Sequence, residues 1–179
     1  FENDWSMRWA EENNKGLVEA YRIAADHSRT HNVIIEEFID GREFSVEALS
    51  HQGQHYILQI TDKVTSGAPH FIEIQHHQPA DITKDVANQI KEMVHKALSA
   101  LKNENSPSHT EIKLNSKGEL YIIEIGARMG GDFISSDLVR LSTGYDMVKG
   151  AIELAVGEFK VPQIKDHKYS GVYFYSALA

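Results

Sequence analysis

Two glutamates, Glu111 and Glu124, flank the turn-forming run Asn115-Ser116-Lys117-Gly118, and Arg128 and the pair Gly130-Gly131 follow the second acid. The whole stretch, His109 to Asp132, reads HTEIKLNSKGELYIIEIGARMGGD. It is patterned as a hairpin of two strands rich in β-branched residues. Alternation places Thr110, Ile112 and Leu114 on one face of the first strand and His109, Glu111 and Lys113 on the other. On the return strand Tyr121, Ile123 and Ile125 share one face, and Leu120, Ile122 and Glu124 the opposite one. A loop with an even number of residues pairs Glu111 with Ile122 or with Glu124. Either register leaves both carboxylates on one face, about 5–8 Å apart. Facing acids among isoleucines are costly unless a cation lies between them. Arg128 adds a fixed positive charge, and the glycines give a backbone that a ligand can approach closely. The chemistry such a set suits is half of a metal–nucleotide site; the plain alternative is a solvated hairpin with both acids in water.

A second stretch, VIIEEFIDGREFSVEAL from Val33 to Leu49, carries Glu36, Glu37, Phe38, Ile39 and Glu43 around the turn signal Asp40-Gly41. These acids also fit the polar side of a solvated sheet edge. His76 and His77 invite a zinc reading, yet neighbours on a strand point to opposite faces and do not share an ion comfortably. Glu73 and His77 do share a face, and Lys63 lies in a segment with Gly67 and Pro69 of the kind that borders a site.

The order acid, hairpin, acid, Gly-Ala-Arg, Gly-Gly resembles the Mg-ATP motif of the ATP-grasp superfamily. The resemblance implies that Glu111 and Glu124 hold Mg2+ (or Mn2+) and that Arg128 is the catalytic cation, with ATP as co-substrate. The Glu36–Glu43 stretch resembles the adenine-binding linker of the same superfamily. By position, Glu36 then accepts from the adenine amino group, the backbone of Glu37, Phe38 and Ile39 meets the ring edge, and Glu43 takes the ribose hydroxyls. The chemistry agrees, since an exocyclic amine needs an acceptor and a diol suits a carboxylate. Lys63, Glu73, His77, Gly130 and Gly131 are weaker candidates for contacts to the substrate. Many members carry Asn two residues after the second acid, where this chain has Gly126. The form EIGARMGGD is more similar to the amino-acid ligase branch than to biotin carboxylase. The resemblance implies an ATP-dependent carboxylate–amine ligase working through an acyl-phosphate on small carboxylate and amine substrates. It leaves two alternatives: a carbamoyl-phosphate synthase-like or carboxylase-like enzyme acting on bicarbonate, and a non-catalytic nucleotide- or metal-binding piece.

The elements that must position these residues follow from periodicity. A helix is expected from about Lys15 to Ser28, with Leu17, Tyr21, Ala24 and Ala25 forming its buried stripe and Asn13 or Asn14 capping it. Strands follow at Val33–Phe38, after the Asp40-Gly41 turn, at Gln54–Thr61 and at His70–Gln75. Thr83 opens the longest helix, whose core face is Val86, Ile90, Val94, Ala97, Leu98 and Leu101. Asn103–Ser108, with Pro107, should separate this helix from the acidic hairpin. Two further helices, Ile134–Leu141 and Tyr145–Val156, and an apolar strand Ser170–Ala177 complete the reading. The class is α+β, ATP-grasp-like, a largely antiparallel sheet flanked by helices, with the resemblance spanning roughly residues 15–177. Residues 1–32 read as the end of a small nucleotide-binding lobe and 33–179 as the C-terminal catalytic lobe of a partial ATP-grasp domain.

Composition narrows the classes. With 179 residues, 41% of them hydrophobic, the chain can bury a sizeable core. A formal charge of −8 argues against nucleic acid or an anionic membrane as partner. The absence of cysteine excludes disulfides and thiolate chemistry and points to a cytoplasmic protein. The chain opens at Phe1, and no Lys-Pro plus Gly-rich phosphate loop precedes residue 33. It is therefore expected to be a piece of a longer protein, with a homodimer of that parent compatible with the reading. Alone it should fold but bind ATP weakly without turning it over.

Overall fold

The computed structural model describes residues 14–67 and 71–175. The chain divides into two compact units. One comprises residues 40–64 and 75–174; the other contains the described residues 14–39, 65–67, 71–74 and 175.

The smaller unit contains helix α1 (Asn14–His27). Its buried stripe is Gly16, Ala20 and Ala24, at four-residue spacing, whereas Leu17 and Tyr21 are 43% and 49% exposed. The expectation of a Leu17–Tyr21 stripe is thus corrected: the small residues, not the large ones, line the face that packs closely. Asn13 and His70 lie outside the described residues. The run Val33–Phe38 forms no strand; residues 31–40 carry no regular secondary structure. Strand formers make a strand only where a ladder receives them, and the strand that follows Gly41 has both edges occupied by other partners.

A six-stranded sheet organises the larger unit. Its strands are β1 (Arg42–His51), β2 (Gln54–Thr65), β3 (Glu73–Gln78), β4 (Ser106–Leu114), β5 (Leu120–Gly126) and β6 (Ser170–Tyr173). Their order is β5-β4-β1-β2-β3-β6. The pairs β1/β2, β1/β4, β4/β5 and β3/β6 are antiparallel. Part of the segment expected to be a linker is strand, since Pro107 lies within β4 opposite Leu49. Gly41 has φ +112°, and a Cβ there would lie 2.1 Å from the Leu114 carbonyl oxygen. Only glycine lets the chain enter β1 so close to the end of β4.

Helix α2 (Lys84–Ala100) is capped by Thr83, whose hydroxyl accepts from the Val86 amide, and carries Asp85 in its first turn. Its face of Ile90, Val94 and Leu98 packs on Phe44, Val46, Ala48, Ile60 and Ile112 of the sheet. Leu101, expected on that face, falls past the last turn and is 62% exposed. On the other sheet face a second cluster joins Leu49 and Leu58 to Val139 and Met147. These last two come from α3 (Val139–Thr143) and α4 (Met147–Ala155). The helix expected from Ile134 opens as one π turn, Ile134–Leu138, before continuing as α3. The second face is therefore apolar at one end, and its other end carries the chemistry.

Candidate active site

Along β1 the even-numbered Phe44, Val46 and Ala48 go into the α2 core, so Glu43, Ser45 and Glu47 project from the opposite face. The register sets Lys63 beside Glu43 on β2, and Lys113, Glu111 and His109 beside Glu43, Ser45 and Glu47 on β4. One cross-strand layer thus collects acids and bases on a single surface.

Glu111 and Glu124 are direct cross-strand partners. The pairing is reached differently from the alternation expected on β5. A register shift next to Glu111 leaves Ile123 without a partner, so Leu120 and Ile122 pair with Leu114 and Ile112 while Glu124 meets Glu111. Leu120 and Ile122 consequently join the apolar core that they cannot share with Glu124. The bulge separates the apolar residues of β5 from its acid.

Lys63 is buried within β2 rather than in a loop. Its ammonium donates to Glu111 Oε1 at 2.8 Å and lies 3.2 Å from Glu43 Oε1. Lys113 lies 3.8 Å from the other Glu43 oxygen. Arg128 sits at the exposed rim, 3.9 Å from Glu124, with its guanidinium also donating to the Met129 carbonyl at 3.0 Å. An exposed pair of this kind is weak, so Glu124 is held loosely.

Deeper in the face, Glu47 is fully buried. It accepts from His109 Nδ1 at 2.5 Å, from the Ser135 hydroxyl at 2.5 Å and from the Gly130 amide at 3.2 Å. The other imidazole nitrogen of His109 lies 3.5 Å from Glu111 Oε1. Burial works against an imidazolium at His109, but bonding to Glu111 and Glu47 outweighs it and the pKa is pushed up to about 9. Burial also works against a charged Glu111, and there His109 and Lys63 prevail, drawing it down to about 2.

The two glycines separate in role. A Cβ on Gly130 would lie 2.6 Å from His109 Nδ1, so this glycine is required by internal packing, and its amide is already engaged. Gly131 faces open space. Ser45 Oγ is buried beside Glu111 with no hydrogen-bond partner among the described residues.

Of the remaining sequence candidates, His77 is exposed and opens onto a separate cleft of about 400 Å³ bordered by Asp62, Pro79 and Ser170. Glu36 and Glu37 are exposed, Phe38 and Ile39 half-buried, in the smaller unit, where the Phe38 ring lies 6.0 Å from that of Phe71. Glu73 is half-buried at the start of β3. Glu47, His109, Lys113 and Ser135 were not singled out from sequence. For His109 and Lys113 the signal was present, since alternation already sets them on the face of Glu111. Ser135 carries no local signal, because only the fold brings it to Glu47.

Residues 2–137 match the family described as the ATP-grasp domain. The chain belongs to the ATP-grasp family. Its structure superposes on that of L-amino acid ligase from Bacillus licheniformis with a TM-score of 0.69 at 36% identity, over 76% of this chain and 36% of that one. Alanine–anticapsin ligase of Bacillus subtilis is 32% identical over 110 residues, 55% of this chain and 23% of the ligase. The ATP-grasp fold is shared more widely. The biotin carboxylase domain of Hydrogenobacter thermophilus 2-oxoglutarate carboxylase, solved with MgADP, ADP and bicarbonate, gives a TM-score of 0.74 at 22% identity. That match covers 89% of this chain and 36% of the carboxylase domain. This ATP-grasp chain thus spans about a third or less of the length of these relatives. Among its described residues no helix is long and apolar enough to cross a membrane.

Proposed function

We propose that this chain is the ATP- and Mg2+-binding portion of an ATP-dependent carboxylate–amine ligase that works through an acyl-phosphate and releases ADP and phosphate. The observation that carries the reading is the direct pairing of Glu111 with Glu124 on the charged face, with Arg128 beside the second acid. The ligase class rests on the 36% identity to an L-amino acid ligase.

The donor set fits a divalent hard cation: two carboxylates on paired strands, next to a buried hydroxyl, Ser45, that lacks a partner among the described residues. Magnesium would supply there the positive charge that offsets the transferring phosphoryl group. Glu111 and Glu124 would hold it. Lys63, now on Glu111 and Glu43, is the neighbouring cation within reach of a phosphate if its hold on Glu111 loosens. Glu43 stands on the same face to take the ribose hydroxyls, and Glu36 with the backbone of Glu37 to Ile39 would receive the adenine.

In the reaction, a carboxylate oxygen of the first substrate attacks the γ-phosphorus and ADP leaves. The amine of the second substrate then attacks the acyl carbon, loses a proton and expels phosphate. Arg128 would stabilise the developing negative charge through its planar guanidinium. Glu73 and the open space at Gly131 are proposed contacts for the amino-acid substrates, whereas His77, on its separate cleft, is left out of the site.

The test is ADP release by the full-length protein against a panel of amino acids and against bicarbonate. Release that requires two amino acids supports the ligase. Release that requires bicarbonate instead would place the chain with the carboxylases. Glu111→Gln, Glu124→Gln and Arg128→Lys should each lower kcat by about 100-fold or more with the fold intact.

A further inference from the structure

The acid of this face that no step above uses is Glu47, and it is the most buried of them. Its two oxygens collect donors from three separate places. His109 comes from β4, Gly130 from the loop after Arg128, and Ser135 from the π turn. Between the last two lie Asp132 at φ 48° and Phe133 at φ 64°, consecutive non-glycine residues in the left-handed region. Such a pair persists only where its surroundings hold it, and Glu47 grips the chain on both sides of it. Through His109 the same carboxylate reaches Glu111, whose Oε1 lies 3.5 Å from the second imidazole nitrogen.

We propose that Glu47 is a positioning residue: one buried carboxylate fixes, through His109, the orientation of Glu111 and, through Gly130 and Ser135, the loop that presents Arg128. This rests on the reading of Glu111 as a metal ligand. The physical basis is that of a metal site's outer hydrogen bonds, which hold the ligand in place rather than touch the ion. Two features of the geometry support it. His109 is bonded to Glu47 at one nitrogen and lies 3.5 Å from Glu111 at the other, so its ring cannot rotate without losing a contact. Gly130 is excluded from carrying any side chain by the same pair, since a Cβ would fall within 2.6 Å of His109 and 3.0 Å of Glu47.

The experiment is Mn2+ titration followed by EPR, with saturating ADP, on the full-length protein and its Glu111→Gln, Glu47→Gln and Ser135→Ala variants. It is run below the melting temperature of each, with folding checked by circular dichroism. Glu47→Gln should weaken Mn2+ by about 10–100-fold while the affinity for metal-free ADP is unchanged. Ser135→Ala removes one of the three donors that hold the Glu47 carboxylate in the orientation it passes to His109, and should weaken Mn2+ by about three- to tenfold. That variant decides the matter if Glu47→Gln does not fold. Retention of wild-type Mn2+ affinity in the folded Glu47→Gln and Ser135→Ala proteins, alongside its loss in Glu111→Gln, overturns the positioning role alone. Wild-type affinity in Glu111→Gln overturns the metal reading and the positioning role with it.

Discussion

Glu111 takes its properties from its neighbours rather than from its residue type. Lys63 and His109 hold it near pKa 2 against an ordinary 4.5, and His109 is in turn raised to about 9 from 6.5. The signs of the two linkages differ. The lowered acid contributes stability that is fully present above about pH 4.5 and lost as the pH falls towards 2. The raised base contributes stability that is fully present below about 6.5 and lost as the pH rises towards 9. Metal-free protein should therefore be most stable between roughly pH 4.5 and 6.5, and denaturant midpoints at pH 3, 5.5 and 8.5 measure this directly. A midpoint still rising between 5.5 and 8.5 would show that the His109 bonds do not form in solution. In His109→Gln the alkaline decline should flatten, while the acid limb remains.

Strand β1 is the element on which this chemistry depends, because it lies between the two strands that complete the layer. Its entry at Gly41 is fixed by the Leu114 carbonyl. Gly41→Ala should cost about 1–3 kcal/mol from the strained φ alone. The backbone overlap adds to this and pushes β1 away from β4. Thermal melting and nucleotide affinity should fall together, because Glu43, proposed to take the ribose, lies near the start of the same strand; an unchanged melting temperature would contradict the close approach. The hairpin from His109 to Gly126 and the helix Lys84–Ala100 were legible in the sequence, each having an uninterrupted period and clear end signals. The bulge at Ile123 was not. It appears only when Leu120 and Ile122 must enter a core that Glu124 has to avoid, and that is a tertiary demand. Val33–Phe38 has strand-forming residues but no vacant place beside β1, and Leu17 and Tyr21 yielded to smaller residues at a close packing face. The Glu111–Glu124 pairing was expected from an even loop, but the loop between Leu114 and Leu120 has an odd number of residues and the pairing is restored only by the bulge. Glu47 was hidden because alternation alone does not distinguish a solvated acid from a buried one.

Across the molecule the two sheet faces differ in kind. The α2 face is a continuous apolar core centred on Phe44, Ile90 and Ile112, and the opposite face changes from Leu49 and Leu58 to an ionic layer within one strand length. On that layer stand Glu43, Glu47, Glu111 and Glu124, together with Lys63, Lys113, Arg128 and, as an imidazolium, His109. Among these eight residues acids and bases are equal in number, although the chain as a whole carries a formal charge of −8. Acids already paired with neighbouring bases offer a bare dication little uncompensated field. A magnesium ion arriving alone would leave two uncompensated charges against a partly dried wall, whereas one delivered with polyphosphate brings its own counter-charge. Free Mg2+ should accordingly bind at least about tenfold more weakly than the same ion in the presence of ADP, as calorimetry with and without the nucleotide would measure. By the reciprocity of coupled binding, the nucleotide should gain the same factor from the ion. The ion and the phosphates would then enter as a single salt.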